Sequence, residues 1–423
     1  MAEILGLGSF QKSDGTNKQI AVANGDAFVY NSANTTWEAQ NQYLNVTAKA
    51  EFDTFLDYLF MVNYNDPTRT YSGSAWSNST NVTSAPKAKY IKVFQTRVYL
   101  GYCNVSSTAY PSRVYYSSIP SASAITWNTT DDWFDVRTDD GDVLMGFGLN
   151  NNRLLCFKKN SLHRWDTYSL VQVRGSVGTT SQRSVCNVRD WTIFLHLDGF
   201  FAYDGVSSKL ISNPIKPFID GIPSANFSTA VAWREGNHYR CFVGNITNVA
   251  EDISLSNVVL DYDVSLNSWT IHTLQDVITC AAEYIASDVR DVFVGTDSAR
   301  FRKLEDGNSD TSGASSLVAI PFEVETIEYY PGDPETLKSF PFMYVYASRG
   351  SGISVSHKVV GKPFDEAENW IPAGQLRNRV TRIDLPLRDS EGRGITLKFS
   401  ESSSVQPVTI EGFSLYYIRK GLR

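Results

Sequence analysis

The chain has 423 residues with 38 basic and 45 acidic side chains, a formal net charge of −7, and 13% aromatic against 20% charged residues. That length exceeds what one ordinary core organises, so several domains or a repeat array are expected. The aromatic-rich balance excludes a disordered chain, and the acidic charge argues against a general nucleic-acid binder that works by neutralising phosphates, though not against a wall past which DNA slides.

The N-terminal stretch MAEILGLGSFQKSDG lacks a basic region followed by an apolar core. No signal peptide is expected from it, and no stretch of the chain is apolar for long enough to span a bilayer. Short apolar runs separated by turns then follow, and helical periodicity is almost absent. Ile20–Trp37 carries a hairpin signal at Asn24–Gly25. Ala48–Phe60 fits helix and strand alike. Asp57–Trp76 reads as strand, Asn-Asp-Pro turn, Tyr71 and a Ser-Gly corner. Tyr90–Trp127, Val143–Trp165 with a turn at Asn150–Asn152, Val185–Ile211, Ala230–Trp269 and Thr279–Leu304 repeat the theme. The clearest unit is WTIFLHLDGFFAYDG, Trp191–Gly205, in which two apolar strands flank Asp198–Gly199 and Asp204–Gly205 closes the turn. Repeated hairpins that cannot bury their own faces point to an all-β chain built as a β-propeller. About seven units are counted, uncertain by one or more.

Most units end on an aromatic just past a turn: Trp37, Trp76, Trp127, Trp165, Tyr203 and Trp269. Regular placement favours packing between adjacent blades over sugar stacking. The polar, Gly/Ser-rich stretch Glu305–Ser316 reads as a linker. Beyond it come alternating segments at Ile320–Tyr330, Pro341–Ala347, Ile353–Val360, Thr381–Leu387, Gly394–Phe399 and Val408–Ile418. These predict a small antiparallel β-sandwich. The expected domains are therefore a propeller over 1–304, a linker over 305–316 and a sandwich over 317–423.

Residues that carry chemistry are scattered. Cys103, Cys156, Cys186, Cys241 and Cys280 include no CxxC pair, and their odd number gives no disulfide framework. Cys156 and Cys241 sit in the apolar runs RLLCF and YRCFV, where a small buried hydrophobe is expected. His163, His196, His238, His272 and His357 never fall at ligand spacing. His196 is expected to be hydrogen-bonded at a blade surface. The acidic run Asp131, Asp132, Asp135, Asp139, Asp140 and Asp142 lacks calcium-loop spacing and reads as a solvated turn. Arg419, Lys420 and Arg423 form a short basic tail. No catalytic, cofactor-binding or metal-binding residue is assigned, and no cofactor or enzymatic activity is expected. The many Trp and Tyr residues leave a glycan-binding or carbohydrate-active propeller as the alternative, and LDYDVSLNSW, Leu260–Trp269, leaves a kelch-like adaptor without its double glycines.

The order RVYYSSIPSASAITWNTTDDWFDV, GDVLMGFGLNNNRLLCFKKNSLHRW, Gly178–Thr179, RSVCNVRDWTIFLHLDGFFAYDG and LISNPIKPFIDGI resembles the propeller of bacteriophage tail nozzle and packaged-DNA-stabilisation proteins. The segments IPFEVETIEYY, KSFPFMYVYA and IEGFSLYYIRKGLR are similar to the sandwich that often follows it. The resemblance covers most of residues 85–423 and implies a structural virion protein, assembled in the host cytoplasm. It implies six copies in a ring below the portal and adaptor, contacts with other tail proteins, and double-stranded DNA passing through the lumen without sequence-specific binding. Ring assembly implies heterologous interfaces that close by rotation.

Overall fold

The computed structural model describes residues 2–420 apart from 122–123, 176, 287–288, 305–309, 313–315, 349–351, 363–367, 387–388 and 403–408. The chain is all-β and divides into two compact units, Met1–Leu304 and Glu305–Arg423. The first unit is propeller-like. Sheets of four strands span 4–39, 51–77, 87–135, 144–172, 186–210 and 231–273, each in simple meander order. A seventh sheet over 278–303 has three strands among the described residues. The first strand of each sheet packs against the first strand of the next, and the first strand of the seventh returns to that of the first.

The middle strands explain this stacking. In Arg153–Lys158, Leu154 and Cys156 join a core with Tyr99 and Val114 of the third sheet. Their neighbours Leu155 and Phe157 join a core with Phe194 and Phe201 of the fifth sheet. In Trp191–His196, Ile193 and Leu195 turn instead toward Tyr239 and Cys241 of the sixth sheet. Period-two alternation thus delivers apolar side chains to both faces, and the run reads as continuous hydrophobicity because neither face meets water. The turns match their residues: Asn24 and Gly25, and again Asn151 and Asn152, take successive left-handed conformations. That backbone suits the right-handed twist of a two-residue hairpin.

One ambiguous reading is resolved and one needs correction. Residues 48–60 are not helical; Glu51–Phe55 and Tyr58–Val62 form a hairpin around Leu56 and Asp57, both at positive φ. Its apolar residues fall at spacings that suit helix and strand alike, and the hairpin is set by the left-handed pair Leu56–Asp57. The first sheet also begins earlier than Ile20, with Ile4–Gln11 as its innermost strand. A Cβ at Gly6 would lie 2.5 Å from the Ala50 carbonyl oxygen, so a glycine there lets two innermost strands approach.

The recurrent aromatics do bridge sheets. Trp165 stacks on Phe134 of the third sheet at 4.1 Å between centroids. Trp269 packs on Phe200 of the fifth sheet and donates Nε1–H to the Ile211 carbonyl at 3.0 Å. Trp37 meets Phe301 of the seventh sheet edge-on at 4.7 Å. Trp76 lies on Tyr71 of its own sheet and also packs against the cores shared with the first sheet.

The segment leading into the fifth sheet crosses to several innermost strands. Ser181 Oγ donates to the Ala230 carbonyl at 2.8 Å, and the Gln182 side chain exchanges hydrogen bonds with the backbone of Phe147. Arg183 then spreads its guanidinium over three sheets. Nη2 donates to the carbonyls of Leu5 at 2.7 Å and Ala50 at 3.0 Å, Nη1 to that of Thr279 at 2.7 Å, and Nε to the Glu51 carboxylate at 2.8 Å. Tyr239 OH reaches the Ser184 carbonyl from the sixth sheet at 2.7 Å.

In the second unit, a four-stranded sheet built from 322–325, 394–401, 354–360 and 371–375 shares one core with a three-stranded sheet built from 380–384, 342–348 and 409–415. Val355, Leu397 and Phe399 meet Met343, Val345 and Ile383 there. Fully buried Lys338 donates its ammonium hydrogens to the carbonyls of Asp333, Thr336 and Arg393. The stretch read as a linker is not strand-free: Asp310–Ser312 pairs with Ser316–Val318, while 305–309 and 313–315 lie outside the described residues.

Replacing Arg183 by Met leaves three carbonyls and a carboxylate without their donor. The variant is expected to lose about 3–5 kcal/mol of stability, the range for breaking a buried ion pair. Arg183→Lys, lacking the planar fork, is expected to recover less than half of that in chemical denaturation.

Candidate functional site

In the second to sixth sheets a two-residue turn joins the first and second strands. The turns of the third, fourth and fifth sheets surround a solvent-open recess of about 280 Å³. Gln95, Asn150, Asn151, Asn152, Asn187 and Arg189 contribute its polar lining. Gln95, Asn151, Asn152 and Arg189 all take left-handed backbone conformations, which Asn tolerates best among residues with a side chain. Asn150 is buried. Its Nδ2 donates to the Asp190 carbonyl at 3.0 Å and to Thr192 Oγ1 at 3.1 Å. Its Oδ1 is buried with no hydrogen-bond partner among the described residues.

Neighbouring turns hold the walls. Asn187 Nδ2 donates to the Leu149 carbonyl at 2.7 Å, and Arg189 Nε to Asn237 Oδ1 at 2.8 Å. Thr167 Oγ1 donates to Gln95 Oε1 at 2.9 Å. Gly205, from the fifth sheet, lies so close that a Cβ there would stand 2.4 Å from Asn151 Nδ2. The side-chain amides of Asn151 and Asn152 make no hydrogen bond among the described residues. Next to Thr167, Tyr168 is 92% exposed. Its turn is fixed by Asp166, whose Oδ1 accepts from the backbone N–H groups of Tyr168 and Ser169. Sequence reasoning singled out Asn150–Asn152 only as a turn. The left-handed turns at Gln95 and Arg189 carry no Asn or Gly, so nothing local announced them.

A second polar cluster lies on the sixth sheet. Buried Asp261 accepts from His238 Nδ1 at 2.8 Å, Arg240 Nε at 2.9 Å and His272 Nε2 at 3.3 Å. Burial opposes the charged form, yet the hydrogen bonds from His272 and His238 and the charge of Arg240 hold its carboxyl below the usual carboxylate range. This carboxylate is fully engaged by structural partners.

The other residues singled out from sequence stay apart. All five cysteines are free thiols; Cys156 and Cys241 are buried hydrophobes as expected. His196 is buried, not at a surface, edge-on to Phe201, and its Nδ1 accepts from the Asp198 N–H. The acidic run is more than a solvated turn: Asp135 forms a two-bond pair with Arg113, and Asp140 neutralises the ammonium of fully buried Lys158. Among the described residues, no three or more His, Cys, Asp or Glu side chains are grouped so as to hold a metal ion. No helix of the described residues is long and apolar enough to cross a membrane.

No family model matches the chain, and no curated protein sequence matches it. Among solved structures, the chain aligns with the computationally designed Ika8 protein at a TM-score of 0.42 and 10% identity, covering 71% of this chain and 96% of that one. It aligns with selenomethionine-substituted virginiamycin B lyase from Staphylococcus aureus at a TM-score of 0.44 and 11% identity, covering 71% and 94%.

Burial drives the His163 imidazole down to about 4, with Lys158 and Arg137 adding to the shift, and burial also lowers His196 and His357. The unfolded chain binds these protons near pH 6.5 and the folded chain only at lower pH. Stability is therefore whole above about pH 6.5 and declines as pH falls toward 4. Thermal melts between pH 7.5 and 4 are expected to show that decline, and His163→Gln is expected to flatten part of it. Burial also pushes the Cys186 and Cys241 thiols up to about 12 and Cys280 to about 11. At pH 8 iodoacetamide is expected to label the native protein far more slowly than the urea-unfolded chain, read by intact mass.

Proposed function

We propose that this chain is a non-enzymatic structural protein of a bacteriophage tail, a nozzle or head-to-tail connector component. In this reading unit 1 is a closed seven-bladed β-propeller and unit 2 a C-terminal β-sandwich. Six copies form a ring that adjoins the portal or adaptor and other tail proteins, and surrounds the exit path of the packaged DNA. The order of sequence patterns over residues 85–423 motivates the class.

The observation that carries the reading is the cross-bracing by Ser181–Arg183. It ties the innermost strands of the first, second, fourth, sixth and seventh sheets to the segment entering the fifth. A block braced in this way resists deformation, which suits building material under the load of a packed genome. With that segment across the innermost strands, the DNA path runs between copies and not through one propeller. A net charge of −7 gives such a path little adhesion to phosphates.

Purified protein, examined by light scattering and negative-stain microscopy at increasing concentration, is expected to form sixfold rings with a central opening. A strict monomer that mass spectrometry also fails to find in virions would overturn the proposal.

A further inference from the structure

We propose that the recess between the turns of the third, fourth and fifth sheets binds a neutral saccharide. The inference stands on the recess alone and is independent of the virion reading.

Its chemistry is that of amides. Each carboxamide offers a donor and an acceptor side by side, the pattern that neighbouring hydroxyls on a sugar ring require. Asn151 and Asn152 present such groups with no protein partner, held in place by a left-handed turn. Asn150, only 8% exposed, keeps a buried Oδ1 that no described residue satisfies. A buried acceptor without a donor is costly, and a hydroxyl that enters past Gly205, which covers this oxygen, would relieve it. Val93 and Leu149 add apolar surface to the lining, suited to the C–H face of a sugar ring.

Charge selects against other ligands. The lining holds one cation, Arg189, and one anion, the adjacent Asp190. Arg189 Nε is held by the neutral amide of Asn237, and Asp190 beside it leaves the lining with no net charge. A phosphate or a uronate therefore meets no net positive charge. A volume of about 280 Å³ is at the small end of ligand pockets, the scale of a short saccharide and not of a folded partner.

Outside the lining, the loop that bonds the Gln95 wall carries an exposed ring. Tyr168 follows Thr167, whose hydroxyl bonds the Gln95 wall, and almost its whole side chain meets solvent. Leaving a tyrosine this exposed on a turn rigidified by Asp166 gives a ring ready to stack on a second sugar unit.

The test uses the full chain on a glycan array carrying neutral and acidic oligosaccharides. Saturation-transfer NMR with methyl glycosides of glucose, galactose, mannose and rhamnose gives a solution readout. The double variant Asn151→Gly/Asn152→Gly removes both amides while keeping the left-handed turn, and Tyr168→Ala removes the exposed ring without touching the core. Tyr43→Ala, at an equally exposed position outside the recess, is the control. Wild type is expected to bind neutral glycans, Tyr168→Ala about tenfold more weakly, the double variant without detectable signal, and Tyr43→Ala as wild type. Melting curves check that each variant is folded; should the double variant melt early, Tyr168→Ala still decides. Absence of neutral-glycan binding, binding confined to acidic glycans, or binding unchanged by the recess variants would each overturn the proposal.

Discussion

The guanidinium of Arg183 is the contact on which the first unit depends. A meander sheet uses its inner strands for pairing on one side only, so the other edge presents bare carbonyls. Where several such edges face one another, those carbonyls need a donor that water supplies poorly. Arginine brings five N–H groups in a rigid fork, enough to serve Leu5, Ala50 and Thr279 at once, and Glu51 balances its charge. Lysine offers three hydrogens from a single point and cannot span the same distances. One side chain in the middle of the sequence thereby couples sheets whose bonded residues lie 96 to 178 positions away.

Outside that contact, cohesion is distributed. Each pair of adjacent sheets holds its own apolar core, and the middle strands feed two cores at once through alternation. Aromatic side chains on outer strands extend the contact outward, as Trp165 on Phe134 and Trp269 on Phe200 show. Burial on this scale leaves little room for uncompensated polarity. The exceptions are instructive: Lys158 and Lys338 are fully buried, and each is met by carbonyls or a carboxylate at hydrogen-bonding distance. Both pin loops that have few apolar anchors of their own.

The sequence displayed the repeat wherever a turn carried Asn or Gly between apolar runs, as at Asn24–Gly25, Asn150–Asn152 and Asp198–Gly199. It hid the innermost strand Ile4–Gln11, whose glycines look like loop residues until the neighbouring Ala50 backbone is seen beside them. It left Ala48–Phe60 ambiguous because the apolar spacing there suits both periods and the half-buried strand Glu51–Phe55 carries polar residues on both faces. The site was harder still. Gln95 and Arg189 adopt backbone conformations their residue types do not advertise, and three turns far apart in the chain meet only after the sheets stack. Arg183 gave no signal at all, since a lone arginine in a polar stretch is indistinguishable from a solvated one until its distant acceptors are known.

The position of Arg183 along the chain also sets a schedule for assembly on the ribosome. Its acceptors at Leu5, Ala50 and Glu51 are synthesised long before it, but Thr279 emerges almost a hundred residues afterwards. Until then the arginine has only part of its partner set, and the first and last sheets have no way to meet. Earlier sheets can condense pairwise as they appear, while the final lock waits for the seventh. The half-built array meanwhile leaves the apolar outer faces of its end sheets uncovered, which makes the interval before the first and seventh sheets meet the stage most exposed to misassociation.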